Sequence, residues 1–315
     1  MTMNERNRQD EPRGGPFGPG GVSRRAFIQG AAGAGAAAAV AGAAGWLVTG
    51  GADEFETEPP KNRIVARRAS GSVPRDPGDA TWRSLTSLAV PMLAQNMTTP
   101  RVKAPTIQTI ALRSLHNGSE IGFHLEWADK AVDDIEAIAR FRDSVAVELP
   151  VDPDRPTSVM MGQIGRPVHI LHWRASWQSE MESGSRSVQR AFPNAVNEVT
   201  PEAVLGEEAS RVYYPALYVG NLMASRKRTT PVEELIAEGF GTLTAQEDQR
   251  AEGRGVQSNG LWSVVIVVPI SGSANQVSLK PGGMTRVALA AWDGGAGNRG
   301  ARKQWSNWIS LELES

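Results

Sequence analysis

The sequence predicts an all-β protein, mainly antiparallel, folded as a β-sandwich with short helices in its connections. Three observations carry that expectation. From Trp82 onward apolar residues recur with period two in segment after segment, the spacing that gives a strand one buried face. Asn117-Gly118 and Asn259-Gly260 punctuate those segments, and Asn-Gly favours a tight hairpin turn. Helix signals are few, and Gly at 33 and Pro at 20 of 315 residues suit a turn-rich chain.

Taken in chain order, Thr106 to Leu115 is a candidate strand, and Asn117-Gly118 turns it into the next. In that one, Ile121, Phe123, Leu125 and Trp127 alternate with other residues. Asp133 to Phe141 reads as a short helix. Val145, Val147 and Leu149 alternate again, and His169 to Arg174 alternates more loosely. Residues 178–228 lack the pattern and read as a long insertion of the kind that faces a ligand or partner. Thr230-Pro231-Val232-Glu233 has the form of a capping box with Pro at the first helical position. With Leu235, Ile236 and a closing Gly239 it predicts a two-turn helix. Trp262 to Ile270 is a near-continuous Val- and Ile-rich run, so a central strand buried on both faces. Arg286 to Trp292 and Ile309 to Leu313 complete a set of at least seven strands.

The N-terminus stands apart. Residues 1–22 are polar, and Ser23-Arg24-Arg25-Ala26-Phe27-Ile28-Gln29 matches the twin-arginine export pattern. An uncharged Ala/Gly-rich run follows from Gly30 to Ala52. It is long enough to cross a bilayer, which needs roughly 20 residues, although Ala and Gly partition weakly; cleavage near Ala43 or Ala52 is the favoured fate. The expected organisation is an export signal or anchor over 1–52, a charged, proline-containing linker arm over 53–80 and one domain over 81–315. The expected location is periplasmic or otherwise outside the cytoplasm, membrane-bound only if the apolar run is kept. That route carries folded cargo, which implies a cofactor loaded inside the cell or a partner carried along.

Composition narrows the chemistry. There is no cysteine, so disulfides, thiolate-held clusters, covalent CxxCH haem and Cys-type zinc sites are excluded. The formal net charge of −1 argues against a nucleic-acid partner. No GxSxG motif is present, and no histidine sits beside a marked serine. His169 and His172 are spaced as metal ligands are on a helix, but on a strand they point to opposite faces and cannot share one ion. Glu126, Asp129, Asp133 and Asp134 read as a solvated acidic turn. Nine tryptophans fit either a core or a planar-ligand site.

The phrase Met160-Met161-Gly162-Gln163-Ile164-Gly165-Arg166-Pro167-Val168 leads into the His169 strand. Together with Glu126-Trp127-Ala128-Asp129, Gly239-Phe240-Gly241-Thr242 and Trp292-Asp293-Gly294, it resembles the haem b-binding γ (or C) subunits of periplasmic molybdenum enzymes. These belong to the dimethyl-sulfoxide-reductase superfamily: ethylbenzene, dimethyl-sulfide, selenate, chlorate and nitrate/nitrite-converting complexes. The resemblance runs from about Trp82 to Leu313 and rests on the order of the motifs.

The resemblance implies a β-sandwich holding one non-covalent b-type haem, with no substrate chemistry of its own. Electrons would pass between the iron–sulfur subunit that accompanies a molybdenum catalytic subunit and an external carrier such as cytochrome c. It implies a methionine ligand in the Met-Gly phrase, so Met161, with Met160 in reserve. The second ligand is a lysine amine or, in some members, a second methionine; it falls in the segment Asp293 to Trp308, where Lys303 fits best. Trp173 and Trp292 would pack the macrocycle, and Arg174 and Arg302 would pair with its propionates. His169 departs from the amide-type residue common in relatives, which leaves His169 and His172 as alternative axial ligands. A thioether favours ferrous iron, and burial beside a cation lowers a lysine's pKa toward the neutral amine that can ligate. The competing expectation is a cell-envelope β-sandwich that binds a glycan or a protein without haem; a third is a subunit of the same kind that has lost its haem.

Overall fold

A computed structural model describes residues 62–184, 194, 211–225 and 228–315. The expected export signal and the run from Gly30 to Ala52 lie outside the described residues, as does most of the 178–228 segment. Among the described residues no helix is long and apolar enough to cross a membrane.

Fourteen strands are present among the described residues. The first half-sheet runs β10 (Glu252–Ser258), β11 (Leu261–Pro269), β5 (Glu120–Ala128) and β4 (Thr109–His116), with β2 (Leu88–Pro91) on β4. The second runs β14 (Ile309–Leu313), β12 (Met284–Trp292), β6 (Ser144–Pro150), β7 (Val168–Arg174), β8 (Val232–Ala237) and β9 (Thr244–Ala245). Two short strands, β3 (Leu93–Ala94) and β13 (Gln304–Trp305), pair with each other, and β13 also pairs with β12. One strand joins the halves: β1 (Arg63–Arg68) runs parallel to β14 through Arg63–Ala66 and parallel to β4 through Arg67 and Arg68. All other strand pairs are antiparallel, as expected. β1 lies within the linker arm expected over 53–80 and is part of the sandwich; residues 53–61 of that arm lie outside the described residues.

The two halves pack face to face over a core of alternate residues. Phe123, Leu125, Val264 and Ile266 from one half share a buried cluster with Val145, Val147, Leu171 and Leu289 from the other. Trp173 of β7 meets Trp262 of β11 edge-on with ring centroids 5.2 Å apart. That approach needs a glycine on β10, since a Cβ on Gly255 would lie 2.4 Å from the Trp173 ring. β11 lies between β10 and β5 and is buried on both faces, as its composition predicts. Asn259 and Gly260 both take the positive φ of a two-residue hairpin turn, and Asn117 Oδ1 accepts from Ser119 and Glu120 N–H in the other predicted hairpin.

Two predicted helices are absent. The capping-box segment forms β8 instead. Thr230 Oγ1 does accept from Val232 N–H at 3.2 Å, but the chain then pairs along the whole of β7 from Trp173 to Val168. A hydroxyl turn of this kind serves a strand entry as well as a helix, and the sheet pairing decides. Asp133 to Phe141 is a loop with an isolated bridge between Ala137 and Arg140. The described helices are short: α1 (Ala80–Ser84), α2 (Ala175–Ser183) and α3 (Pro215–Tyr218).

Candidate functional site: a cavity on the outer face of the second half-sheet

Strand register explains how the site arises. Residues of β6 and β7 that do not face the core face outward, and the register lays them in rows: Ala288, Glu148, Ile170 and Leu235; then Ala290, Ala146, His172 and Glu233; then Trp292, Ser144 and Arg174. Small residues in the middle of this floor, Ala146 and Ala290, leave space above it. Loops then wall the space. Trp292 Nε1 donates to Gly300 O at 2.9 Å, which holds the 293–303 loop over the floor. Gly294 N donates to Asp143 Oδ1 at 2.8 Å, tying that loop to the start of β6. Trp308 Nε1 donates to Thr157 O at 3.0 Å and steadies the loop that carries the methionines. The result is a cavity of about 550 Å³, within the range of cofactor and ligand sites.

Met161 and Lys303 both line this cavity, from different loops. Met161 sits at φ +68°, a left-handed conformation that costs a non-glycine residue roughly 1–2 kcal/mol. Its carbonyl accepts from Gly239 N–H at 2.7 Å, which ties the Met-Gly turn to the Gly-Phe-Gly loop. Lys303 stands between the Arg299–Arg302 turn and β13, with its carbonyl accepting from Gln95 N–H at 3.1 Å. Its Nζ lies 5.3 Å from the centre of the Trp292 ring. Burial lowers the Lys303 pKa against the opposing pull of Glu148. Glu148 faces both loops: burial pushes its carboxyl up to about 8, while Lys303 and the backbone amide of Met161 act to lower it. Its Oε1 is buried without a hydrogen-bond partner.

The other end of the floor carries nitrogen donors. His172 stacks on Trp292 with centroids 4.6 Å apart, and burial, reinforced by Arg174, Arg142 and Lys303, holds its pKa well below the ordinary histidine value. Arg174 pairs with Glu233 and lies 4.4 Å over the Trp177 ring. Arg142 pairs with Glu136.

The sequence from residue 79 to residue 304 matches the family model described as ethylbenzene dehydrogenase. The chain belongs to the ethylbenzene dehydrogenase family. The curated protein most informative beside it is named as the respiratory nitrate reductase heme subunit ORF7 of Haloferax mediterranei. It is 24% identical over 265 residues, which cover 83% of this chain and 77% of that one. Among solved structures, a family 9 carbohydrate-binding module from Caldicellulosiruptor kristjanssonii in complex with glucose matches with a TM-score of 0.40 and 9% identity, covering 81% of this chain and 96% of that one. A carbohydrate-binding protein from Bacteroides uniformis matches with a TM-score of 0.42 and 8% identity, covering 80% and 99%.

In this ethylbenzene dehydrogenase family chain, five of the residues singled out in the sequence come together at the cavity: Met161, Lys303, His172, Trp292 and Arg174. Met160 lines only a small side pocket next to Met161. His169 and Trp173 do not reach the cavity, because they sit on the core face of β7. His169 is fully buried there, with Nε2 2.9 Å from Glu234 Oε2, and Trp173 is core. His169 and His172 do point to opposite faces. Arg302 belongs to the 299–302 turn, and the arginine of that turn that lines the cavity is Arg299. Glu148, Arg142 and Ala146 were not foreseen; the alternation of β6 puts Ala146 and Glu148 on the face the sequence assigns to water.

The acidic turn is also rearranged. Glu126 pairs with Arg113 instead, and Asp129 comes together with Asp143 and Asp293, their carboxylate oxygens within 4.8 Å of one another. Burial pushes Asp143 up to about 7 and Asp129 up to about 6.

Proposed function

We propose that this chain is an exported, non-catalytic electron-transfer subunit that holds one non-covalent b-type haem in the cavity on its second half-sheet. The observation that carries the reading is that Met161 and Lys303, from loops far apart in sequence, line one cofactor-sized cavity. The donor set suits that group. Met161 offers a neutral thioether, and Lys303 offers an amine whose burial favours the neutral, ligating form. The chain has no thiolate to compete. Bound there, a b-type haem would supply one-electron redox chemistry. The alanine floor leaves room for it, Trp292 gives an aromatic side wall, and the 293–303 loop walls the space. The name of the Haloferax relative and membership of the ethylbenzene dehydrogenase family support the same reading.

The partners we infer are the molybdenum-containing and iron–sulfur subunits of a nitrate reductase-like complex, with a soluble cytochrome c or similar carrier on the other side. The twin-arginine motif supports a site of action outside the cytoplasm, reached after folding. The test is purification of the full chain from haem-replete cells. It should carry one haem per chain with a b-type spectrum, and acidified organic solvent should extract that haem. A chain that stays colourless under those conditions, or one that keeps haem after extraction, overturns the reading.

A further inference from the structure

The rim of the cavity is not evenly charged. Two loops of its wall, 95–103 and 299–303, are joined to each other. Gln95 N–H donates to Lys303 O at 3.1 Å, and Gln95 Nε2 donates to Ala301 O at 2.7 Å. Val102 N–H donates back to Gln95 O at 2.7 Å, which closes the first loop. Gln95, Arg299, Ala301 and Lys303 line the cavity, and the exposed Arg299 and Gly300 mark where it opens.

These loops carry Arg101, Lys103, Arg299 and Arg302, and no Asp or Glu occurs from Met92 to Ser119 or from Gly294 to Leu311. Arg101, Lys103 and Arg299 are exposed and Arg302 is half-buried. Val102 is buried between the first two and leaves both cations on the outside. Among the described residues none of the four pairs with a carboxylate. The adjoining 133–142 loop differs, because Arg142 holds Glu136 and Arg140 offsets Asp133. The rim is therefore locally positive on a chain whose formal net charge is −1. Met97, 54% exposed, adds an apolar contact on the same loop.

We propose that the rim formed by the 95–103 and 299–303 loops is the docking surface for a soluble one-electron carrier with an acidic contact face. Permanent subunit interfaces are large, with charge depleted at their centre. Transient redox encounters are small and use charge to steer and orient the partner, and this rim has that second character. A carrier seated on it lies against the wall that holds Lys303, so one electron crosses there with no bond made or broken. The assignment rests on the haem reading above.

The test reduces the haem-loaded full chain and follows its oxidation in stopped flow by ferricyanide, an anion, and by tris(phenanthroline)cobalt(III), a cation. Each oxidant takes one electron as the ferrous haem becomes ferric. Ionic strength runs from about 10 mM to about 300 mM, which shortens the Debye length from about 30 Å to less than about 10 Å. The ferricyanide rate should fall with salt and the cobalt rate should rise. Arg101→Glu combined with Lys103→Glu should slow ferricyanide by about fivefold or more at low salt and abolish or reverse its salt dependence. Arg254→Glu combined with Lys280→Glu, exposed positions outside this rim, should leave both rates unchanged. A wild-type ferricyanide rate without salt dependence overturns the docking surface, as does an equal effect of the two double variants. A second arm needs no haem. At low salt the full chain should bind a plant-type ferredoxin, an acidic one-electron carrier, and the rim variant should bind it at least tenfold more weakly. Equal binding by wild type and rim variant overturns the docking surface. Phosphatidylglycerol vesicles that bind the chain through the same two residues, where ferredoxin does not, make the rim a membrane contact and overturn it too. A chain that takes up no haem but binds ferredoxin through the rim overturns the haem reading alone.

Discussion

At the scale of single residues, the site is marked by side chains whose local situation is unfavourable unless something is bound. Met161 holds a left-handed backbone, Glu148 has a buried oxygen without a partner, and desolvation of the half-buried Lys303 lowers its pKa. If Met161 serves as a ligand and not as packing, replacing it should cost little. Met161→Gly relieves the backbone and should stay within about 1 kcal/mol of wild type in denaturant unfolding of the haem-free chain. Truncation of a core methionine would cost about 2–5 kcal/mol, and a loss of that size would assign Met161 to the core. Asp143 makes a second case. Its carboxyl is pushed up to about 7 by burial, from an ordinary value of 3.8. The folded chain thus keeps this proton while the unfolded chain has lost it, so this group's contribution to stability falls as pH rises from about 4 to about 7 and is level above. Asp143→Asn removes that slope. The melting temperature of the variant relative to wild type should rise with pH across this window; a constant difference would contradict it.

At the scale of elements, much of the strand pattern was legible and the second layer was not. Period two gave β5, β6, β12 and β14 because each has one face in the inter-sheet core. The run of β11 was legible because both its faces are buried. β8 was hidden because Glu233 and Glu234 put charge on both of its faces, and both are buried with partners that only the tertiary fold supplies. The cavity floor was hidden for the same reason. Alternation assigns Ala146, Glu148, Ile170 and His172 to solvent, and the loops that cover them come from distant segments. Met161 and Lys303 were singled out through motif resemblance, not through periodicity; Trp173 was named on the same ground but follows the core alternation of its strand. The floor's small residues are directly testable. Ala146→Phe places a ring into the space above β6 and should leave the fold intact by circular dichroism. It should reduce haem uptake at least tenfold; unchanged uptake would place the haem elsewhere.

At the scale of the whole molecule, β1 ties the two half-sheets together, and the site lies outside the core they share. A cofactor on an outer face can be inserted after the sandwich has formed, which suits the proposed export of an already folded chain. Changing Arg24 and Arg25 together to lysine should keep the protein in the cytoplasm, as read by cell fractionation; export at the wild-type level would remove the twin-arginine assignment. The central claim is that Met161 and Lys303 are the two axial ligands of one b-type haem. Absorption spectra and midpoint potentials of the wild-type chain, Met161→Ala and Lys303→Ala test it most directly. Each substitution should change the spectrum and shift the potential, with loss of the thioether lowering it. Two variants with the wild-type spectrum and potential would contradict the claim.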